Sequence, residues 1–212
     1  MTSSRTPDAD VHPMFLDRWS PRAIGPGPLT DAQLAALFEA MRWAPSCFNE
    51  QPWLVVYATD PGSPDHQRLT GVLVEANQIW AGRAALLMIL FARRRFSHNN
   101  SPNRHAGFDC GAAWMSLALE ARALGLYAHA MAGFDPARAC TDLGVPESDF
   151  EAMAAIAVGP PGDPADLPEK LETREFSHLT SEQAALYESV VGRMLAEVDG
   201  AEGIHRRGLV LS

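Results

Sequence analysis

Two short clusters carry residue types suited to binding and orienting a small polar ligand. The first is Arg18-Trp19-Ser20-Pro21-Arg22, in which two guanidinium groups four residues apart flank a hydroxyl. Converging on one side of a turn, they form a planar fork for a phosphate monoester; splayed apart, they are a solvated surface triplet. The second is Ala44-Pro45-Ser46-Cys47-Phe48-Asn49-Glu50-Gln51-Pro52-Trp53. Hydroxyl, thiol and amide groups framed by prolines make either a rigid loop that offers hydrogen bonds to a flat polar ligand or an Asx-type turn leading into a strand.

Other chemistries lack their residues. There is no GxxxxGK[ST], and Gly25-Pro26-Gly27 has neither a third glycine nor a preceding strand, which argues against a Rossmann-type nucleotide site. HExxH, paired CxxC and GxSxG are absent and the seven histidines are scattered, so no metal centre or serine nucleophile is expected. The 17 Lys and Arg against 26 Asp and Glu leave a net charge of −9, which argues against nucleic acid as a partner. Cys47, Cys110 and Cys140 are odd in number and read as reduced thiols. The opening residues have no apolar signal core, and the longest apolar run, Ala84 to Ala92, is too short to span a bilayer. The expected setting is therefore cytoplasmic, with no membrane partner.

These clusters need a scaffold, and a chain of 212 residues, 47% of them hydrophobic, can bury a core without disulfides. Proline and glycine break it at Gly25–Pro28, Asp60–Pro64, Asn99–Asn103 and Gly159–Pro164. None of these is an interdomain linker, so residues 11–175 are expected to form one domain and residues 176–212 a C-terminal extension. Thr30-Asp-Ala-Gln33 matches a capping box, and Leu34, Leu37, Phe38 and Met41 line one helical stripe that ends near Ala44-Pro45. Strands are expected at Trp53–Thr59, Ala85–Ala92, Tyr127–Met131 and Ala154–Gly159. Helical sequence lies between the first two. Further helices are expected over Phe108–Leu124, stopped by Gly125, over Asp135–Leu143, and over Thr180–Val198. Helices alternating with about four buried strands indicate an α+β sandwich.

The combination resembles the nitroreductase family of flavin enzymes. The resemblance is carried by Arg18-Trp-Ser-Pro-Arg22, Arg42-Trp-Ala-Pro-Ser-Cys-Phe-Asn-Glu-Gln-Pro-Trp53, Asn77-Gln-Ile-Trp-Ala81, Asn103-Arg-His-Ala106, Asp109-Cys-Gly-Ala-Ala113, Leu124-Gly-Leu126, Met131-Ala-Gly-Phe-Asp135 and Ala157-Val-Gly159. It implies a three-layer α/β/α sandwich on a mixed, mainly antiparallel sheet, and an intertwined homodimer with FMN at the subunit interface. It also implies that Arg18, Ser20 and Arg22 hold the FMN phosphate and ribityl chain. Pro45, Ser46, Cys47 and Asn49 would reach the flavin from the partner subunit, Asn77 would contact its pyrimidine edge, and the Ala132-Gly133 backbone would face N5. The implied activity is hydride transfer from NAD(P)H through flavin N5 to a nitroaromatic, a quinone or a similar acceptor by a ping-pong mechanism, with no protein acid or base. The alternatives are an FMN-dependent oxidase or dehydrogenase of a specific metabolite and a non-catalytic flavin-binding protein.

The requirements of FMN match residue types present here: a dianionic phosphate needs a basic fork, a polyol needs hydroxyl or amide partners, and a flat ring needs apolar walls. Two departures stand out. Relatives usually carry a late phosphate-binding arginine, for which Arg174 or the Arg206-Arg207 pair would have to substitute, and Cys47 replaces a common serine. Of the other polar residues, His105 and Asp109 suit a helix start, and His129 is read as a hydrogen-bonded core or pocket residue. Arg93-Arg94-Arg95 is either the solvated end of a strand or a site for the NADPH phosphate. Trp80, Trp114 and Phe108 are read as core.

Overall fold

The computed structural model describes residues 10–173 and 175. Strands β1 (Trp53–Ala58), β2 (Leu86–Arg93), β3 (Tyr127–Met131) and β4 (Phe150–Gly159) form one sheet in the order β1-β2-β4-β3. All three pairings are antiparallel, with Val55 opposite Leu90, Ile89 opposite Ala155, and Ala130 opposite Ile156. The sheet is thus antiparallel as expected in the main; no parallel pairing, which a mixed sheet would need, occurs among the described residues.

Successive side chains of a strand point to opposite faces, so a strand apolar throughout must be covered on both. This is the position of β2. Leu87, Ile89 and Phe91 face a cluster with Leu69, Trp80 and Ala139, supplied by α3 (Pro64–Gly71), α4 (Glu75–Ala81) and α6 (Pro136–Leu143). Leu86, Met88 and Leu90 face Leu37, Met41, Ala113 and Leu117 from α2 (Asp31–Arg42) and α5 (Ala106–Ala123). Each such fully buried side chain contributes about 1.5–3 kcal/mol, and together they fix the three layers of an α/β/α sandwich.

The helix ends follow their sequence signals. Thr30 Oγ1 accepts from the Gln33 N–H while Gln33 Oε1 accepts from the Thr30 N–H, closing the capping box of α2. Gly125 follows α5 at φ 75°, and the Leu126 N–H donates to the Ala121 carbonyl at 2.7 Å. A side chain is strained at that φ, and glycine is not.

Three differences from the expectations have physical causes. β4 begins at Phe150 rather than Ala154, because beyond a bulge at Leu90/Phe91 the strand β2 continues to pair through Arg93. Short helix α1 (Pro13–Asp17), capped by the His12 ring, has no apolar stripe to announce it. Phe108 is 82% exposed, whereas Trp80 is core and Trp114, partly buried, packs against the cluster on the other face of the sheet. The expected helix over Thr180–Val198 lies outside the described residues. Among those described, no helix is long and apolar enough to cross a membrane.

Candidate functional site

The chain leaves α1 at Arg18, which caps the helix by donating its own N–H to the Met14 carbonyl. Burial pulls the Arg18 guanidinium below its usual range, a cost that a neighbouring anion would offset. The turn that follows is fixed from three sides. Trp19 meets Tyr127 edge-on at 5.9 Å. Glu175 Oε1 accepts from the N–H groups of Arg22 and Ala23, at 2.7 Å each. His129 on β3 lies 2.9 Å from the Pro21 carbonyl through Nδ1. A carbonyl only accepts, so Nδ1 carries the proton. Burial, and secondarily the nearby Arg22 charge, hold His129 below its ordinary value. The Ser20 hydroxyl and the Arg22 guanidinium have no hydrogen-bond or ion-pair partner among the described residues, leaving both as donors for a ligand.

The same histidine leads to the second group. Its ring packs on Trp80 at 4.7 Å, and the Trp80 indole N–H donates to Asn77 Oδ1 at 3.3 Å. Asn77 Nδ2 donates in turn to the Gly133 carbonyl at 2.9 Å, which also accepts from the Val74 N–H. The Asn77 amide retains one N–H and one acceptor lone pair. At Gly133 a Cβ would lie 2.3 Å from Asn77 Nδ2, so only glycine allows this approach. The N–H groups of Ala132 and Gly133 have no acceptor among the described residues. Arg18–Arg22, Asn77 and Ala132-Gly133 therefore lie on one connected path through His129 and Trp80.

The proline-framed loop belongs to another region. Phe48, Asn49 and Gln51 all adopt positive φ, at 55°, 53° and 49°, a region that costs a non-glycine residue energy and needs surrounding support. The support is visible. The Gln51 N–H donates to Ser46 Oγ, and Gln51 Nε2 donates to Asn49 Oδ1. The Cys47 N–H donates to Asp109 Oδ2, on a carboxylate buried in the first turn of α5. Glu50 accepts from the Ser97 N–H and hydroxyl and so ties the loop to the segment after β2. Its outward face carries Phe48, 79% exposed.

Sequence reasoning did not anticipate the roles of Trp80 or Glu175, nor the reach of Asp109 into the loop. Nothing local in the sequence marks Glu175, whose partners are more than 150 positions away. Arg174, Arg206 and Arg207 lie outside the described residues. Among those described, no three His, Cys, Asp or Glu side chains are placed to hold a metal ion.

The chain is similar to several known proteins. A crystal structure titled as an oxidoreductase containing FMN superposes with a TM-score of 0.78 at 37% identity, over 84% of this chain and 90% of that one. A Streptomyces coelicolor protein provisionally named NADH dehydrogenase/NAD(P)H nitroreductase is 29% identical over 171 residues, 71% of this chain and 83% of its own. A nitroreductase crystallised with FMN from Desulfovibrio desulfuricans shares the fold, at a TM-score of 0.60 and 23% identity over 76% of this chain and 95% of that one. The profile described as the nitroreductase family matches residues 16–67 and 62–160, spanning the Arg18–Arg22 turn, the proline-framed loop and the Asn77–Gly133 contact. The chain is a member of the nitroreductase family.

Proposed function

We propose that this protein is an FMN-dependent oxidoreductase that uses NAD(P)H to reduce a nitroaromatic, a quinone or a similar acceptor. The observation that carries this reading is the group of donors without a partner among the described residues, the Ser20 hydroxyl, the Arg22 guanidinium and the Ala132 and Gly133 amides, joined through one path of part-buried contacts. The donor set fits FMN. A guanidinium and a hydroxyl suit a phosphate and polyol, and two backbone amides beside a glycine suit the edge of a flat ring. The names of the relatives point the same way.

In this reading Arg18 and Arg22 hold the phosphate, Ser20 the ribityl chain, and Asn77 the pyrimidine edge with its remaining N–H or lone pair. The Ala132-Gly133 amides direct positive charge at N5. When bound, FMN would supply the two-electron hydride chemistry, and a ping-pong order is expected. His129 holds the Pro21 carbonyl and keeps the phosphate-binding turn in register with β3. The loop bearing Pro45, Ser46, Cys47 and Asn49 is bonded to α5 and to the segment after β2, and we assign it, as the family resemblance implies, to the flavin of a partner subunit. A homodimer is also favoured by α5, whose Phe108, Gly111 and Met115 form an outward stripe with Phe108 82% exposed and Met115 41%. We place the catalytic domain at residues 11–175, the divergent extension at 176–212, and the protein in the cytoplasm.

The test is a visible absorption spectrum of the purified protein followed by anaerobic addition of NADPH or NADH. A flavin spectrum that bleaches, recovers with a nitroaromatic or quinone, and gives parallel double-reciprocal lines is expected. A protein that neither contains nor takes up FMN overturns the reading; intersecting lines overturn the ping-pong order.

A further inference from the structure

Strand β2 ends in three consecutive arginines with different fates. Arg94 is consumed within the chain: Nε donates to the Glu147 and Phe150 carbonyls, and Nη1 pairs with Glu151. Arg95 Nη1 donates to the Asn100 carbonyl at 2.8 Å and keeps its remaining donors. The Arg93 guanidinium lies over the Phe150 ring at 5.0 Å and has no hydrogen-bond or ion-pair partner among the described residues. In a chain of net charge −9, such a guanidinium is conspicuous.

Arg93 and Arg95 line one cavity of about 350 Å³ together with Phe96, Ser97, Asn100 and Asp149. The volume lies at the lower end of small-molecule pockets, roughly 300–1,000 Å³, and greatly exceeds what a lone phosphate fills. Two guanidinium groups, both exposed, offer charge-assisted donors to an anion. The single carboxylate, Asp149, would repel a bare anion, but it accepts a hydrogen bond from a hydroxyl or amino group carried on the same ligand. One aromatic wall, Phe96, is too little for a nitroaromatic or quinone. The chemistry is that of a phosphorylated nucleoside.

The position narrows the choice. Glu50 joins the rim residue Ser97 to the proline-framed loop, and Phe48 of that loop meets Phe96 edge-on at 5.8 Å. The cavity therefore adjoins the loop assigned to the flavin of the partner subunit. With the FMN phosphate assigned to Arg18–Arg22, the phosphate monoester left to this reaction is the 2′-phosphate of NADPH. We propose that the Arg93–Arg95 cavity receives the 2′-phosphoadenosine end of NADPH and makes the enzyme select NADPH over NADH. This rests on the reading of the protein as an NAD(P)H oxidoreductase.

Calorimetry on the FMN-loaded protein with adenosine 2′,5′-bisphosphate and with 5′-AMP tests the cavity without turnover. The bisphosphate is expected to bind about tenfold more tightly or better, and Arg93→Gln to abolish that advantage. The Arg93 guanidinium makes no polar contact among the described residues, so an unchanged melting temperature shows that the variant is intact, and Arg95→Gln gives an independent second loss. In steady state the ratio of kcat/KM for NADPH to that for NADH is expected to fall by about tenfold in either variant. Equal binding of the two nucleotides by the unsubstituted protein, or a ratio that neither substitution moves, overturns the proposal. If neither NADPH nor NADH reduces the flavin, the functional reading falls, and the calorimetry still decides whether the cavity takes a 2′-phosphate.

Discussion

The Cys47 N–H donates to Asp109 Oδ2 at 3.1 Å across 62 positions of sequence. The proline-framed loop is therefore anchored through its backbone to a carboxylate that is only 3% exposed, and the thiol that departs from the common serine takes no part in the anchor. Asp109→Ala leaves the Cys47 amide without its acceptor and is expected to cost about 1–3 kcal/mol. Asp109→Asn, which can still accept, is expected to cost less, and Cys47→Ser less than about 0.5 kcal/mol. Urea denaturation of the three variants checks the order.

At Gly133 a Cβ would meet Asn77 Nδ2 at 2.3 Å and Val74 Cγ2 at 3.0 Å. Gly133→Ala must displace Asn77 and with it the Trp80 hydrogen bond, for an expected loss of about 1–3 kcal/mol and a weaker hold on FMN. Asn77→Ala removes the obstruction, so the double variant is expected to be less destabilised than the sum of the two single ones. A thermodynamic cycle measured by denaturation decides.

Arg22 has a side chain without a hydrogen-bond or ion-pair partner among the described residues and a backbone bonded to Glu175. Arg22→Ala is expected to weaken FMN binding by about tenfold or more, since charged hydrogen bonds contribute roughly 1.5–3 kcal/mol. Riboflavin, which has no phosphate, is expected to bind both proteins alike. Titration by flavin fluorescence quenching compares the two ligands.

The pH dependence has a definite sign. His66 is fully buried, with Nε2 donating to the Ala84 carbonyl, and burial holds it below its ordinary 6.5; His129 is shifted the same way. The unfolded chain then takes up protons near pH 6.5 while the folded chain resists until lower pH. Stability is full above that value and is lost as pH falls from it toward the depressed folded-state values. Thermal melts are expected to move down between pH 8 and pH 5, and His66→Asn to melt lower at pH 8 but lose less on acidification.

Phe108 and Met115 stand on the same outer face of α5. Phe108→Arg changes an exposed site and is expected to alter monomer stability by less than about 0.5 kcal/mol, yet to split the proposed homodimer. Light scattering after size exclusion reads the mass, and a dimer that persists in the variant counts against this face.

What could be read from the sequence differed by region, for physical reasons. Helix α2 and strand β2 are local objects: a capping box with an apolar stripe, and an unbroken apolar run, specify them whatever lies elsewhere. The Arg18–Arg22 turn and the proline-framed loop were visible as composition, because a guanidinium pair about a serine and a polar run between two prolines are local features. Their supports were not. His129, Asp109 and Glu175 act on partners 108, 62 and 153 positions away, and no periodicity records such a pairing. Phe108 was misplaced for a related reason: an aromatic residue in an Ala-rich helix signals burial, but composition cannot say whether the burial is against the chain's own core or against another molecule.

Glu175 brings one more consequence. Both amides that follow the phosphate-fork turn hang on a single oxygen, fifteen positions past the last residue matched by the family profile. A protease or a shortened gene that ended the polypeptide between residues 160 and 175 would preserve every family motif and still unpin the turn that carries them. Such a fragment should fold around its sheet but shed its cofactor, and likeness to relatives is therefore an unsafe guide to where this molecule can be cut.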